Sequence, residues 1–195
     1  NTPDENMVSA GYSASYRQGT TFNDFLLNKG SKTDWLGFDD GSRSLPSNFP
    51  ANARDLSNSN DKEELTTAGR SLNNNWGIVP TKATPDQRFN LTFARKFDIK
   101  KVHVGHITAL NYSNTNQYFV ARRTDYNSYN PETGHSDTIF DYYDSRYTNN
   151  ARVGVLHNWS FNFLNHKIEF KNIFNQAGMN QSTLRDGKNF EEGEL

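Results

Sequence analysis

The chain has 195 residues, enough for one sizeable domain, with 21 basic and 22 acidic side chains, a formal charge of −1 and no cysteine. That balance offers no basic excess for nucleic acid, and the absence of thiols excludes a disulfide framework and thiolate metal sites. Only 33% of residues are hydrophobic and the mean hydropathy is −0.90, yet there are 14 Phe, 9 Tyr and 3 Trp. Disordered chains are poor in aromatics, whereas a large β-barrel combines them with polarity because each strand is apolar on one face only.

No apolar run approaches the roughly 20 residues of a membrane helix, and Asn1-Thr2-Pro3-Asp4-Glu5 is too polar for a signal peptide. Transmembrane strands need only about 9–11 residues of alternating pattern. Five such runs occur. In the first, 7–17, Val8, Ala10, Tyr12, Ala14 and Tyr16 share a face opposite Ser9, Gly11, Ser13, Ser15 and Arg17. The outer loop expected next, 18–86, is punctuated by Gly30, Gly37, Gly41, Pro46 and Pro50. Within it, Asn60 and Glu63 resemble a capping box ahead of Leu65, Ala68 and Leu72 at helical spacing.

The second run, 87–97, places Phe89, Leu91, Phe93 and Phe97 on one face, interrupted by Arg95. The third, 102–114, is less clean: Ile107 and Ala109 oppose Thr108, Leu110 and Tyr112. A second outer loop, 115–150, is expected to begin and end as strand extensions around the turn Asn130-Pro131-Glu132-Thr133-Gly134. The fourth run, 151–163, is the clearest, with Val153, Val155, His157, Trp159, Phe161 and Phe163 opposite Arg152, Gly154, Asn158, Ser160 and Asn162. The fifth, 167–176, sets Ile168, Phe170 and Phe174 against Glu169, Lys171 and Asn175, and a third outer loop is expected over 177–195. Short turns after the second and fourth runs alternate with long connections after the first and third. This is the rhythm of an outer-membrane barrel, with short periplasmic turns and long extracellular loops. The fold class is therefore all-β: a segment of about five antiparallel transmembrane strands from a larger barrel.

The stretch Lys32-Thr33-Asp34-Trp35-Leu36-Gly37-Phe38-Asp39-Asp40-Gly41-Ser42-Arg43-Ser44-Leu45-Pro46 resembles a motif of TonB-dependent outer-membrane receptors of the Bacteroidota type. Thr20-Thr21-Phe22-Asn23-Asp24-Phe25 before it, Asn74-Asn75-Trp76-Gly77 after it, Pro85-Asp86-Gln87-Arg88-Phe89 and Tyr147-Thr148-Asn149-Asn150 extend the resemblance over nearly the whole chain. It implies the N-terminal part of a barrel of about 22 strands in the bacterial outer membrane. It also implies a plug domain lying before Thr2 and absent here, and import of a scarce nutrient such as a siderophore, cobalamin, a glycan or a peptide. The partners it implies are outer-membrane lipid, a TonB complex reached through the missing N-terminal part, and a surface lipoprotein as a further candidate.

Tyr12, Tyr16, Trp159, Phe161 and Phe163 are candidates for aromatic girdles at the membrane interfaces. Trp35, Phe38 and Trp76, on the first outer loop, are candidates to stack on a ligand ring or, equally in chemistry, to form a small core that keeps the loop folded. Asp39-Asp40-Gly41 lacks full calcium-loop spacing and reads as a capped structural loop. The five histidines show no metal spacing. Arg17, Arg122, Arg123, Arg152 and Lys171 are placed on the lumen or loops. No nucleophile–base–acid set is visible, so no enzyme and no cofactor is expected. Two other readings stand beside the transporter: a non-transporting or secretion-associated outer-membrane barrel, and a soluble secreted carbohydrate-binding β-sandwich.

Overall fold

The computed structural model describes residues 3–47, 49, 54, 59, 61–73 and 77–194. Five long or medium strands, β1 (Met7–Ser15), β4 (Asp86–Ile99), β5 (Val102–Tyr126), β6 (Thr138–Phe163) and β7 (His166–Asn189), and the two-residue β8 (Gly193–Glu194) form one antiparallel sheet in the order β1-β4-β5-β6-β7-β8. Between β1 and β4 lie β2 (Asp24–Asn28) and β3 (Ile78–Lys82), which pair antiparallel as a second small sheet. A short 3₁₀ turn (Asp34–Leu36) and helix α1 (Lys62–Ser71) complete the insertion. The six strands leave an open sheet and do not close on themselves.

Two-residue turns set the register at one end. Ile99 pairs with Val102 across Lys100-Lys101, and Phe163 pairs with His166 across Leu164-Asn165. Lys100 and Leu164 adopt the left-handed conformation, φ 55° and 51°. This suits the twist of tight hairpins and is unusual for a bulky residue such as leucine.

At the other end the strands are far longer than their alternation. The segment expected as the second outer loop is mostly a projecting ribbon: β5 and β6 remain paired from Val102↔Phe163 to Tyr126↔Thr138. Its tip is the Asn130–Gly134 turn, where Gly134 N–H donates to Asn130 O at 2.9 Å and Glu132 N–H to Asn130 Oδ1 at 2.9 Å. The expected third outer loop is corrected in the same way. β7 follows β6 up to Phe140↔Asn189, because a neighbouring backbone ladder accepts any residue able to extend, whatever its side chain. The helix also begins elsewhere than the capping box proposed. Asp61 is its N-cap, its side chain accepting from Glu63 and Glu64 N–H; Asn60 lies outside the described residues.

The register sorts side chains onto two faces. Rows such as Tyr12–Phe89–Tyr112–Val153 and Phe97–Val104–Phe161–Ile168 lie on one. Rows such as Ser13–Arg88–Ser113–Arg152 and Gly11–Asn90–Asn111–Gly154–Asn175 lie on the other. The first is an apolar face, the second a polar one. The sheet is a single layer, so Val8, Phe97, Ile99, Ile168, Phe170 and Phe174 remain exposed.

The β2–β3 unit covers only the half of the apolar face farthest from the two-residue turns. Phe25 is buried edge-on against Tyr147 at 5.5 Å, with Tyr118 beside it. Thr20 is buried and its Oγ1 accepts from Tyr118 N–H at 3.1 Å. Asp86 closes the base of the insertion, accepting from Arg17 Nη2 at 2.8 Å and from Asn116 N–H at 2.9 Å. Gly37 lies against Gly178 of β7 at φ 78°, where a Cβ would stand 2.9 Å from Gly178 N and 3.2 Å from Ala151 O. Gly37→Ala is expected to weaken the docking by about 2 kcal/mol, from the left-handed backbone and the clash together. Limited proteolysis within residues 38–47 should then run roughly thirtyfold faster, as cleavage follows the open population. An unchanged rate would show that this contact does not hold the loop.

Candidate functional site

The motif segment folds as a self-capped loop on the apolar face. Ser31 N–H and Oγ–H donate to Asp34 at 2.9 and 2.6 Å, and Arg43 bridges Asp34 and Asp39, reaching Asp39 Oδ1 at 2.9 Å. Asp40 accepts from Ser42 N–H at 3.1 Å and Lys32 N–H at 3.2 Å, and the Ser42 side chain first, then these backbone donors, hold its carboxyl below the usual carboxylate range. Asp39 Oδ2 takes the Gly41 N–H at 3.1 Å. The carboxylates of Asp39-Asp40-Gly41 are thus occupied by loop donors, as the capped-loop reading anticipates. Among the described residues no cluster of three metal-ligating side chains occurs.

Trp35 lies edge-on to Tyr112, 6.2 Å between ring centres, and Tyr112 O–H donates to Trp35 O at 2.9 Å. Phe38 stacks on Phe174 at 6.2 Å. Both rings therefore contact the sheet, Trp35 over β5 and Phe38 over β7, while each keeps an exposed edge (56% and 39%). Trp76 lies outside the described residues. Beneath the loop a concavity of about 600 Å³ is lined by Asn28, Phe38, Arg43, Asn149, Gln176 and Asn180. Asn149 Nδ2 spans to Asn114 and Asn116 Oδ1, 2.8 Å each, so the amides are largely held by one another.

The aromatic candidates separate to the two ends of the apolar face. Tyr12, on β1, and Tyr16, just beyond it, are exposed toward the long connections, with Tyr16 6.5 Å from Phe22. Trp159, Phe161 and Phe163 lie toward the two-residue turns: Trp159 stacks on Phe161, Phe161 meets Phe170 edge-on, and Phe163 meets His166. Register also assembles a group that sequence reasoning missed. Thr108 Oγ lies 2.9 Å from both His106 Nε2 and His157 Nδ1, and Trp159 Nε1–H donates to His157 Nε2 at 3.0 Å. The two histidines are 51 residues apart, and only the β5–β6 pairing makes them neighbours.

The polar face carries two basic places. Near its middle, Arg88 and Arg152 flank a groove of about 660 Å³ floored by Asn90, Asn111, Gly154 and Asn175. On the projecting ribbon, Asp144 is fully buried among Arg123, Arg146 and Arg185. Arg185 donates from Nε and Nη2 to the two carboxylate oxygens at 2.7 and 3.0 Å and lies over the Tyr142 ring at 4.6 Å. Of the cations expected on the lumen or the loops, Arg123, Arg152 and Lys171 take the polar face. Arg122, within the expected second outer loop, lies on the opposite face, where it pairs bidentately with Asp141 at 2.9 and 2.7 Å. Arg17 is taken up by Asp86. Neither Asp144 nor Arg185 has a sequence signal, since the pair forms across strands 41 residues apart.

No family model, curated protein or solved structure matches the chain.

The hydrogen bonds from Arg185, helped by Arg146 and Arg123, hold the Asp144 carboxyl at about 2, below its ordinary 3.8. Its contribution to the ribbon is therefore complete above about pH 4 and is lost as the pH falls through about 2. Asp144→Asn should remove that acid dependence and raise amide exchange in the ribbon at neutral pH. An identical acid profile in the variant would refute the assignment.

Proposed function

We propose that this chain is the first strands of a bacterial outer-membrane β-barrel that works as a TonB-dependent transporter. The observation that carries the reading is an uncovered apolar face on a single-layer antiparallel meander, with two-residue turns at one end and long connections at the other. A soluble sandwich would need a second sheet over that face. Here β2–β3 seats only on its outer half, leaving the turn-proximal half bare where lipid would lie. The edge of β1, and the edge of β7 outside its two-residue pairing with β8, are what further strands of a closed barrel would satisfy.

The polar groups on the apolar face fit this reading to the extent that they satisfy one another. Thr108, His106, His157 and Trp159 form one hydrogen-bonded group. The polar face, rich in Asn, Ser and Arg, would line the lumen. The motif resemblance adds the rest: an upstream plug, energy from a TonB complex, a surface lipoprotein as a candidate partner, and uptake of a scarce nutrient. In this reading these residues supply wall and outer surface and no covalent chemistry.

The direct test is membrane fractionation of the full-length parent followed by heat-modifiable gel migration. Outer-membrane recovery with a heat-dependent shift is expected, whereas a freely soluble, heat-insensitive protein would sink the reading in favour of a secreted sandwich. Adjacent residues give a sharper test, because Leu110 and Asn111 face opposite ways. Leu110→Arg, one row inside the Tyr12–Tyr112 row, should cost about 1–2 kcal/mol of barrel stability if it faces lipid, and Asn111→Arg close to nothing. Equal denaturant midpoints for the two variants would contradict a lipid-facing Leu110.

A further inference from the structure

We infer that the polar face of the projecting ribbon binds an anionic oxygen group, a carboxylate, sulfate or phosphate, between the guanidiniums of Arg123 and Arg146. This rests on the barrel reading, in which that face borders the outer mouth of the lumen. Asp144 pairs with Ala121, nine residues beyond Tyr112, which is about 30 Å of strand past the end of the apolar rows. A solute entering from outside would meet this place early.

The charge does not balance. One carboxylate, Asp144, faces three guanidiniums, and Arg185 takes the short bonds to both of its oxygens. Arg146 and Arg123 converge on Asp144 from the rows on either side of it and are poorly served. Arg146 Nη2 reaches Asp144 Oδ2 only at 3.4 Å, and its Nε is buried with no hydrogen-bond partner among the described residues. Arg123 Nη1 stands 3.9 Å from the same oxygen, beyond hydrogen-bond range.

Among the described residues no other carboxylate pairs with Arg123 or Arg146. Asp141 and Asp186 lie on the opposite face, and Asp125, farther along the same face, already accepts from Tyr126 N–H at 2.9 Å. Aromatic rings flank two of the three cations. Arg185 is clamped between Asp144 and Tyr142, and Arg146 lies over the Phe119 ring at 5.9 Å. Each guanidinium presents donors in a fixed fork matched to two acceptor oxygens, and a buried donor without an acceptor is unfavourable. An oxyanion placed there restores the missing acceptors and cancels the excess charge.

The test is calorimetric titration of the full-length parent in detergent with sulfate and, separately, citrate, at ionic strength held constant with chloride. Saturable binding of at least one anion is expected, with sulfate alone indicating an inorganic-type oxyanion and citrate a carboxylate-bearing solute. Arg123→Gln together with Arg146→Gln should weaken it tenfold or more, and Arg122→Gln, on the opposite face of the same strand, should leave it unchanged. Should the double variant fold poorly, Arg123→Gln alone, at a residue that makes no hydrogen bond among the described residues, should still weaken binding severalfold. Absence of saturation in a heat-modifiable, membrane-inserted parent overturns this inference and leaves the barrel reading standing, as does full binding in Arg123→Gln. A soluble, heat-insensitive parent overturns the barrel reading and this inference with it.

Discussion

The ladder between β5 and β6 is the constraint on which the rest of the molecule depends. It runs unbroken from Val102↔Phe163 to Asp125↔Phe140 and irregularly to Tyr126↔Thr138. Its register places Tyr118 beside Tyr147, Asn114 and Asn116 beside Asn149, His106 beside His157, and Arg123 within reach of Asp144. A slip of one residue would send each of these side chains to the other face. The tight turn at Leu164-Asn165 guards the next ladder against such a slip, because a two-residue loop admits only one pairing of its flanks.

The insertion between β1 and β4 is ordered by that platform. Its own apolar content is small: Phe25, Ala68 and Ala83 are its buried hydrophobic residues among those described. Segments scattered through the sequence therefore meet where it docks. Thr20 bonds to β5, Phe25 rests on Tyr147, Gly37 lies against Gly178, and Asp86 ties Arg17 to Asn116. The motif residues Asp34, Asp39, Asp40 and Arg43 serve the loop's own geometry, capping its donors where no strand partner exists. A long connection with so little core needs such local closure to stay folded.

The two faces differ in what completes them. The apolar face is half covered by the insertion and otherwise bare. The polar face keeps its charges in solvent-accessible places, except where the ribbon buries Asp144. Burying a carboxylate is favourable only with strong partners, and Arg185 supplies a bidentate one over an aromatic ring.

By itself the sequence determined the β character, the strands nearest the turns, the position of both turns and the polarity of the two faces. Alternation at period two is a local property, and it is strongest where one face is apolar, as from Val153 to Phe163. It faded along Asn114–Tyr126, Thr138–Asn150 and Ala177–Asn189, where apolar and polar residues are mixed on both faces. The backbone continues as strand there because a neighbour offers its ladder, and that neighbour is a tertiary fact. The same holds for β2 and β3, each five residues long and each dependent on the other and on the platform beneath. The sequence also marked the loop segment of Lys32–Pro46 as special, without showing that Trp35 and Phe38 would rest on Tyr112 and Phe174. The groups of greatest chemical interest were the least legible. His106 with His157, and Asp144 with Arg123, Arg146 and Arg185, are joined by register between strands, and register is decided by the summed pairing of whole strands and by no residue within them.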